Sequence, residues 1–257
     1  MTDLPYELRP SDLEERRSFY RSFDLGPSSD WVGRDPVYAV IIGRHTGIYP
    51  ERYEGDHRAP LVIDDYRDGD EVVDWVLEFL PEGLYYDRNH YADRSLCHDR
   101  DLRDVWDWDN FEGQQLAFDV DPENVDCPDH GTLEERLSRG EGLSFCERAF
   151  DISREHTVEL HYRMAENYSD VRTVFSGRGF HVHVMDRDAR ELGRRERRLL
   201  ADENGDLAID GFVTEGEMRL MRLPYSLNGS ASRVVLPLDP DRVLEIDPSS
   251  EALPDFL

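Results

Sequence analysis

Two short runs, Asp170–Ser176 and Gly179–Met185, are separated by little more than Gly177 and Arg178. Both are rich in β-branched and aromatic residues, and so short a connection joins strands only as an antiparallel hairpin. A chain that commits to such a hairpin must extend it into a sheet and cover at least one face. The remaining segments supply the means. Leu116-Ala117-Phe118-Asp119-Val120-Asp121 reads as a further apolar strand, stopped by Pro122. Val37–Gly43, Pro60–Asp64, Gly83–Tyr86 and Ser232–Leu236 read as strands as well. Ser11 is placed as the N-cap of a first helix, with Glu14 completing a capping box. Apolar positions 72, 73, 76, 77, 79 and 80 predict a helix over Asp70–Leu80, and Leu143 to about Tyr168 predicts a long one. Asp188–Asp202 reads as an Arg-rich helix, and Glu215–Met221 as a short helix or strand ending before Pro224. The stretch 87–110 is polar and aromatic without a clear period, and residues 100–104 are locally charge-dense. Strands interleaved with helices predict an α+β fold, a mixed β-sheet flanked by helices. The expected organisation is one domain over 1–257, with an N-terminal lobe over about 1–110 and the motif-bearing part over about 114–236.

Charge bounds the function. The 257 residues hold 57 Asp+Glu against 30 Lys+Arg, a formal net charge of -27, and every basic residue is Arg. A generally basic surface that holds DNA by long-range attraction is excluded. At 39% hydrophobic and 11% aromatic residues, the chain can still bury a core, so the charge does not mean disorder. The absence of Lys beside so much acid reads as a halophile's cytoplasmic protein. In molar salt the Debye length is roughly 3 Å, and crowded carboxylates barely repel. Mean hydropathy is -0.68, no apolar run is long enough to span a membrane, and residues 1–7 lack the pattern of a secretory signal. Three Cys are too few for a disulfide scaffold.

Four motifs carry chemistry. Asp119 and Asp121, two apart on a strand, project from one face. Such a pair stays ionised most easily with a cation between its members, and hard divalent ions such as Mg²⁺ or Mn²⁺ take oxygen ligands of this kind. Ser176-Gly177-Arg178-Gly179-Phe180-His181 offers a hydroxyl, a tight turn, a guanidinium fork and an imidazole, a set that suits a triphosphate. Its alternative is an ordinary hairpin with a solvated Arg and surface His. In Met221–Ser230, Arg222 is a second phosphate candidate, with Ser226 and Asn228 as hydrogen-bonding groups for a sugar or phosphate. Cys127, His130 and Cys146 have zinc-like spacing, and Glu147, His156, Cys97 and His98 are candidates for a fourth ligand. Six Arg between 187 and 198 could lie along nucleic-acid phosphate or form a solvated, ion-paired helix face.

Taken in order, these motifs resemble the small, catalytic subunit of archaeal and eukaryotic DNA primases. Glu14–Tyr20 is similar to that subunit's first helix, and Pro248–Leu257 to its close. The resemblance implies a primase-type catalytic core that synthesises short primers on a single-stranded DNA template from nucleoside triphosphates, usually with a large subunit as partner. It implies that Asp119 and Asp121 hold two divalent ions. Ser176, Gly177, Arg178 and His181 would hold the incoming triphosphate, with Arg222, Ser226 and Asn228 nearby. Cys127, His130 and Cys146 match three of the family's four zinc ligands. The chain departs from the pattern at three places. The family's third metal carboxylate aligns with Gly216; a one-residue offset would let Glu215 or Glu217 on either side supply that catalytic carboxylate, and otherwise the metal site is incomplete. The fourth zinc ligand aligns with Ala149, and a usual His with Asn228. The chain is also shorter than typical members, at about 202–212. A degenerate paralogue that only binds nucleotide or a partner, and a repair primase-polymerase of the same superfamily, are the alternatives.

Overall fold

The structure, a computed structural model, describes residues 4–54, 60–96, 110–141, 144–216 and 218–257. Residues 100–104, Cys97, His98 and Glu217 lie outside the described residues. The fold is α+β, and the chain forms two compact units. One comprises Met1–Leu8, Gln114–Met218 and Leu236–Glu251; the other comprises Arg9–Gly113, Arg219–Val235 and Ala252–Leu257. No helix among the described residues is long and apolar enough to cross a membrane.

The first unit is built on the expected hairpin. Val171–Phe175 and Phe180–Val184 pair antiparallel, Leu116–Val120 adds beside Phe180–Val184, and Leu236–Leu238 adds beside Val171–Phe175. Side-chain alternation divides the sheet into two faces. Phe118, Val120, Phe175, Phe180 and Val182 share one face and are fully buried. The helix Glu147–Ala165 packs on it through Phe150, whose ring centroid lies 6.2 Å from Phe175 and 5.4 Å from Phe180. Each buried Phe contributes roughly 1.5–3 kcal/mol, enough to hold the strands in one register. Asp119 and His181, paired in that register, are left on the opposite face. The outer edge of Leu116–Val120 is covered: Ile209 bridges Val120, and the Asp210 N–H donates to the Asp119 carbonyl at 2.9 Å.

In the second unit the sheet order is Arg233–Val234, Leu227–Asn228, Gly83–Asp87, Tyr38–Ile41, Leu61–Ile63, and Leu220–Arg222 also pairs with Gly83–Asp87. Its core contains two buried opposite charges. Arg16, 0% exposed, donates to the carbonyls of Ile42 (2.8 Å), Ile48 (3.2 Å) and Leu80 (3.2 Å) and to the Thr46 hydroxyl. Glu82, 2% exposed, accepts from the backbone N–H of His45 and Thr46, the Thr46 hydroxyl and the His45 ring. Burial alone would raise the Glu82 carboxyl, but these hydrogen bonds outweigh it and hold it at about 2.

Several local expectations shift. Asp12, not Ser11, caps the first helix, Leu13–Arg21, and Glu15 completes the box. Ser11 is buried and bonds instead to the Gly229 carbonyl at 3.1 Å. The second helix is Gly69–Phe79 with Asp68 as cap, and the long helix starts only at Glu147, capped by Cys146. The Arg-rich helix is two pieces, Arg187–Arg190 and Arg194–Glu203, because Gly193 adopts an extended backbone between them. Glu215–Met221 splits into the end of a helix (Gly211–Glu215), a turn at Gly216 and the start of a strand, Leu220–Arg222. Ser232–Leu236 divides between two sheets, as Arg233–Val234 and Leu236–Leu238.

Candidate active site

Asp119 is the last outward-facing residue within its strand, and Asp121 follows at the strand's end in an extended backbone. His181 sits directly across from Asp119, with Nε2 3.7 Å from its Oδ1. His181 is 5% exposed and His183 0%, so neither is a surface residue as the plain-hairpin reading requires. The turn between the hairpin strands is closed by its own serine. Ser176 Oγ accepts the Gly179 N–H at 3.1 Å, and the Ser176 N–H donates to the Gly179 carbonyl at 2.9 Å. Gly177 takes the left-handed backbone in between. Gly179 is required for a different reason. A Cβ there would stand 2.6 Å from Asp121 Oδ1 and 2.7 Å from the Val120 carbonyl, so the turn reaches the carboxylate pair only because that atom is missing.

Arg178 has a partner that sequence reasoning missed. Its Nη2 lies 3.3 Å from Glu123 Oε2, and its guanidinium lies over the Phe145 ring at 5.6 Å. Glu123 belongs to the short 3₁₀ turn Pro122–Asn124, which folds the chain back after Asp121. Arg136, 2% exposed, anchors that turn by donating to the backbone carbonyls of Glu123, Val125 (3.5 Å) and Ser144 (2.7 Å). Burial and the neighbouring charge of Asp121 push the Glu123 carboxyl up to about 8, against the pull of Arg178. The Asp-Pro-Glu order after the strand signalled a turn, but not which side chain would meet Arg178.

The position aligned with a third metal carboxylate is occupied by backbone. Gly216 ends the helix Gly211–Glu215 in the left-handed conformation, φ 93°, and a Cβ there would lie 2.4 Å from Gln114 Oε1. Glu215 Oε1 is 3.9 Å from Arg198 Nε.

Arg222, Ser226 and Asn228 belong to the other unit. Arg222 lies over the Tyr85 ring at 4.8 Å. Ser226 turns inward and donates to the Leu223 carbonyl at 2.6 Å. Asn228 Oδ1 accepts the N–H of Ser230 at 3.2 Å and its hydroxyl at 2.7 Å. Both side chains therefore hold the turn that follows Pro224.

Cys127, His130 and Cys146 come together as their spacing predicts. Cys127 Sγ is 3.6 Å from Cys146 Sγ and 3.5 Å from His130 Nδ1, and all three ligand atoms lie within 4.8 Å of one another. Burial raises both thiols, but hydrogen bonds, chiefly from His130, bring Cys127 below the usual thiol range, while Cys146 stays above it. Among the described residues this is the one group of three or more His, Cys, Asp or Glu so arranged. Glu147 is not part of it. His156 is committed elsewhere, accepting the Ala208 N–H at 3.0 Å.

The Arg-rich segment is partly structural. Arg197, 2% exposed, donates to the carbonyls of Leu192 (2.9 Å), Ala189 (3.2 Å), Gln115 (3.5 Å) and Gln114. Glu191 pairs with Arg187 at 3.4 Å, one turn earlier on the segment.

The architecture resembles a polymerase fold. The structure of the polymerase domain of ligase D from Mycobacterium tuberculosis, in complex with DNA, superposes with a TM-score of 0.50 at 12% identity, covering 94% of this chain and 85% of that one. The family description DNA primase small subunit matches residues 118–207, which include Asp119, Asp121, the Cys/His group and the Ser176–His181 turn. An uncharacterized DNA primase small subunit-like protein of Archaeoglobus fulgidus is 49% identical over 99% of this chain and 93% of its own length. The DNA primase small subunit PriS of Pyrobaculum arsenaticum is 26% identical over 66% of this chain and 64% of its own length. The chain belongs to the DNA primase small-subunit family.

Proposed function

We propose that the chain is a template-dependent nucleotidyltransferase that makes short primers for DNA replication, using nucleoside triphosphates on single-stranded DNA. The observation that carries this reading is the meeting of two motifs at one sheet edge. The Asp119–Asp121 pair and the Ser176–His181 turn are joined by strand register and by the 3.7 Å approach of His181 to Asp119. Family membership supports it.

The donor set fits a hard divalent cation such as Mg²⁺ or Mn²⁺. It is all oxygen, from two carboxylates two apart at one strand end, beside the Ser176–His181 turn. Asp119 and Asp121 would hold the ions, whose chemistry when bound is activation of the primer 3′-hydroxyl and stabilisation of charge on the phosphates. Arg178 and His181 would bind the triphosphate, with Ser176 and Gly179 keeping the turn short enough to bring them there. By family, a large subunit is the partner in this reading, and the excess of acidic residues suits an internally salty, halophilic cytoplasm. The test is template-directed synthesis by the purified chain in molar KCl with Mn²⁺. Short oligomers are expected, and failure at every salt and metal tested would overturn the reading.

One observation favours a second reading, a nucleotide-binding module without catalysis. The position of the third carboxylate is a glycine in the left-handed backbone, φ 93°, which an acid would adopt only with strain. Nucleotide binding that is indifferent to divalent metal, without synthesis, would select it.

The Cys127–His130–Cys146 group suits Zn²⁺. Its 3.5–3.6 Å ligand spacings are close to the edges of a tetrahedron with Zn–S of about 2.3 Å. Titration with Co²⁺ should give one equivalent of binding with thiolate-to-metal absorption. Cys127→Ser with Cys146→Ser should abolish that absorption.

A further inference from the structure

We propose that Glu123 is a positioning residue that sets the guanidinium of Arg178 for the triphosphate. The proposal rests on the nucleotide-binding reading of Arg178. Three features of the turn support it. Glu123 is itself immobilised: it lies between Pro122, whose ring restricts the backbone, and Asn124, whose N–H donates to the Asp121 carbonyl at 2.9 Å. Arg136 pins its carbonyl from below. Its carboxyl then meets Arg178 Nη2 at 3.3 Å, while Phe145 lies against the guanidinium at 5.6 Å, so the two hold the plane of the guanidinium from an acid and a ring.

Packing alone does not ask for an acid here. Glu123 is only 9% exposed, and a polar side chain buried there costs more than an apolar one of similar size unless a partner meets it. Local rules are broken most often where a site needs them broken. The same turn thus ties the carboxylate pair to the phosphate-binding arginine, so that the two move as one piece.

A double-mutant cycle tests this. The dissociation constant of a nucleoside triphosphate, measured by calorimetry without divalent metal, and KM and kcat in Mn²⁺-supported synthesis are read for the wild type, Glu123→Ala, Arg178→Ala and the double variant. Glu123→Ala should raise the nucleotide dissociation constant and KM about tenfold and leave kcat within about threefold. Glu123→Gln keeps the shape and an acceptor oxygen and should be milder than Glu123→Ala. With Arg178 already removed, loss of Glu123 should change little further. Additive effects in the cycle, or a nucleotide affinity unchanged by Glu123→Ala, overturn the proposal. So does a fall in kcat alone accompanied by weaker Mn²⁺ binding. If Glu123→Ala does not fold, the cycle is run with Glu123→Gln and the same outcomes decide. A wild type that binds no nucleotide overturns the functional reading and this proposal with it; a wild type that binds, with additive variants, overturns this proposal alone.

Discussion

Asp119→Ala combined with Asp121→Ala is expected to lower primer synthesis by about 10³-fold or more while the protein stays folded and melts no lower than the wild type. The two halves of this expectation have one cause. The carboxylates stand at the end of an apolar strand whose register is held from the opposite face by Phe118, Phe180 and Phe150. That packing does not use either acid side chain. Asp121 instead adds negative charge beside Glu123, whose ionisation it already opposes. Removing the pair relieves repulsion and removes the groups that would hold the metal. Gel-based synthesis assays alongside thermal melts would check both. Retained synthesis would show that the catalytic ions lie elsewhere. A large drop in melting temperature would show that the pair has a structural role.

The second large effect concerns stability. Glu82→Gln is expected to destabilise the protein by about 3 kcal/mol at neutral pH. In the fold, Glu82 titrates at about 2, whereas its ordinary value is 4.5. A depressed carboxyl contributes stability that is fully present above its unfolded value and lost as pH falls through the folded one. The wild type should therefore lose this contribution between about pH 4.5 and about pH 2. Glu82→Gln should lack that part of the acid limb. The substitution also deprives the fully buried Arg16 of the opposing charge that acts on it most, a loss that is severe for buried ions. Urea denaturation across pH, wild type against variant, measures the difference directly. Parallel acid limbs would show that the His45 and Thr46 bonds do not depress Glu82.

Much of the architecture was legible without coordinates, for local reasons. The hairpin follows from two β-branched runs with almost nothing between them. The Asp-x-Asp strand follows from its apolar alternation and the proline that stops it. The Cys127–His130–Cys146 group follows from spacing alone, and its ligand atoms do converge. Where sequence reading slipped, long-range packing had outbid a local signal. Ser11 is a good helix cap, but the Gly229 carbonyl claims it, and Asp12 caps the helix instead. Arg197 looks like one of six surface arginines, yet it is drawn inside by four carbonyls, Gln114 and Gln115 among them, that local sequence cannot place beside it. Ser226 and Asn228 also bond within the turn that contains them, a pairing that residue type alone does not show.

The sequence by itself determined the α+β class, the antiparallel hairpin and the order of motifs that marks the family, because side-chain period, turn length and residue type are local quantities. Only the tertiary structure decided which groups stand beside the carboxylate pair. It set His181 across from Asp119, folded Glu123 back onto Arg178, and turned the chain through a left-handed backbone at Gly216. Those outcomes depend on strand register and on what each buried polar group can reach. Both are properties of the packed chain, invisible in the spacing of its residues.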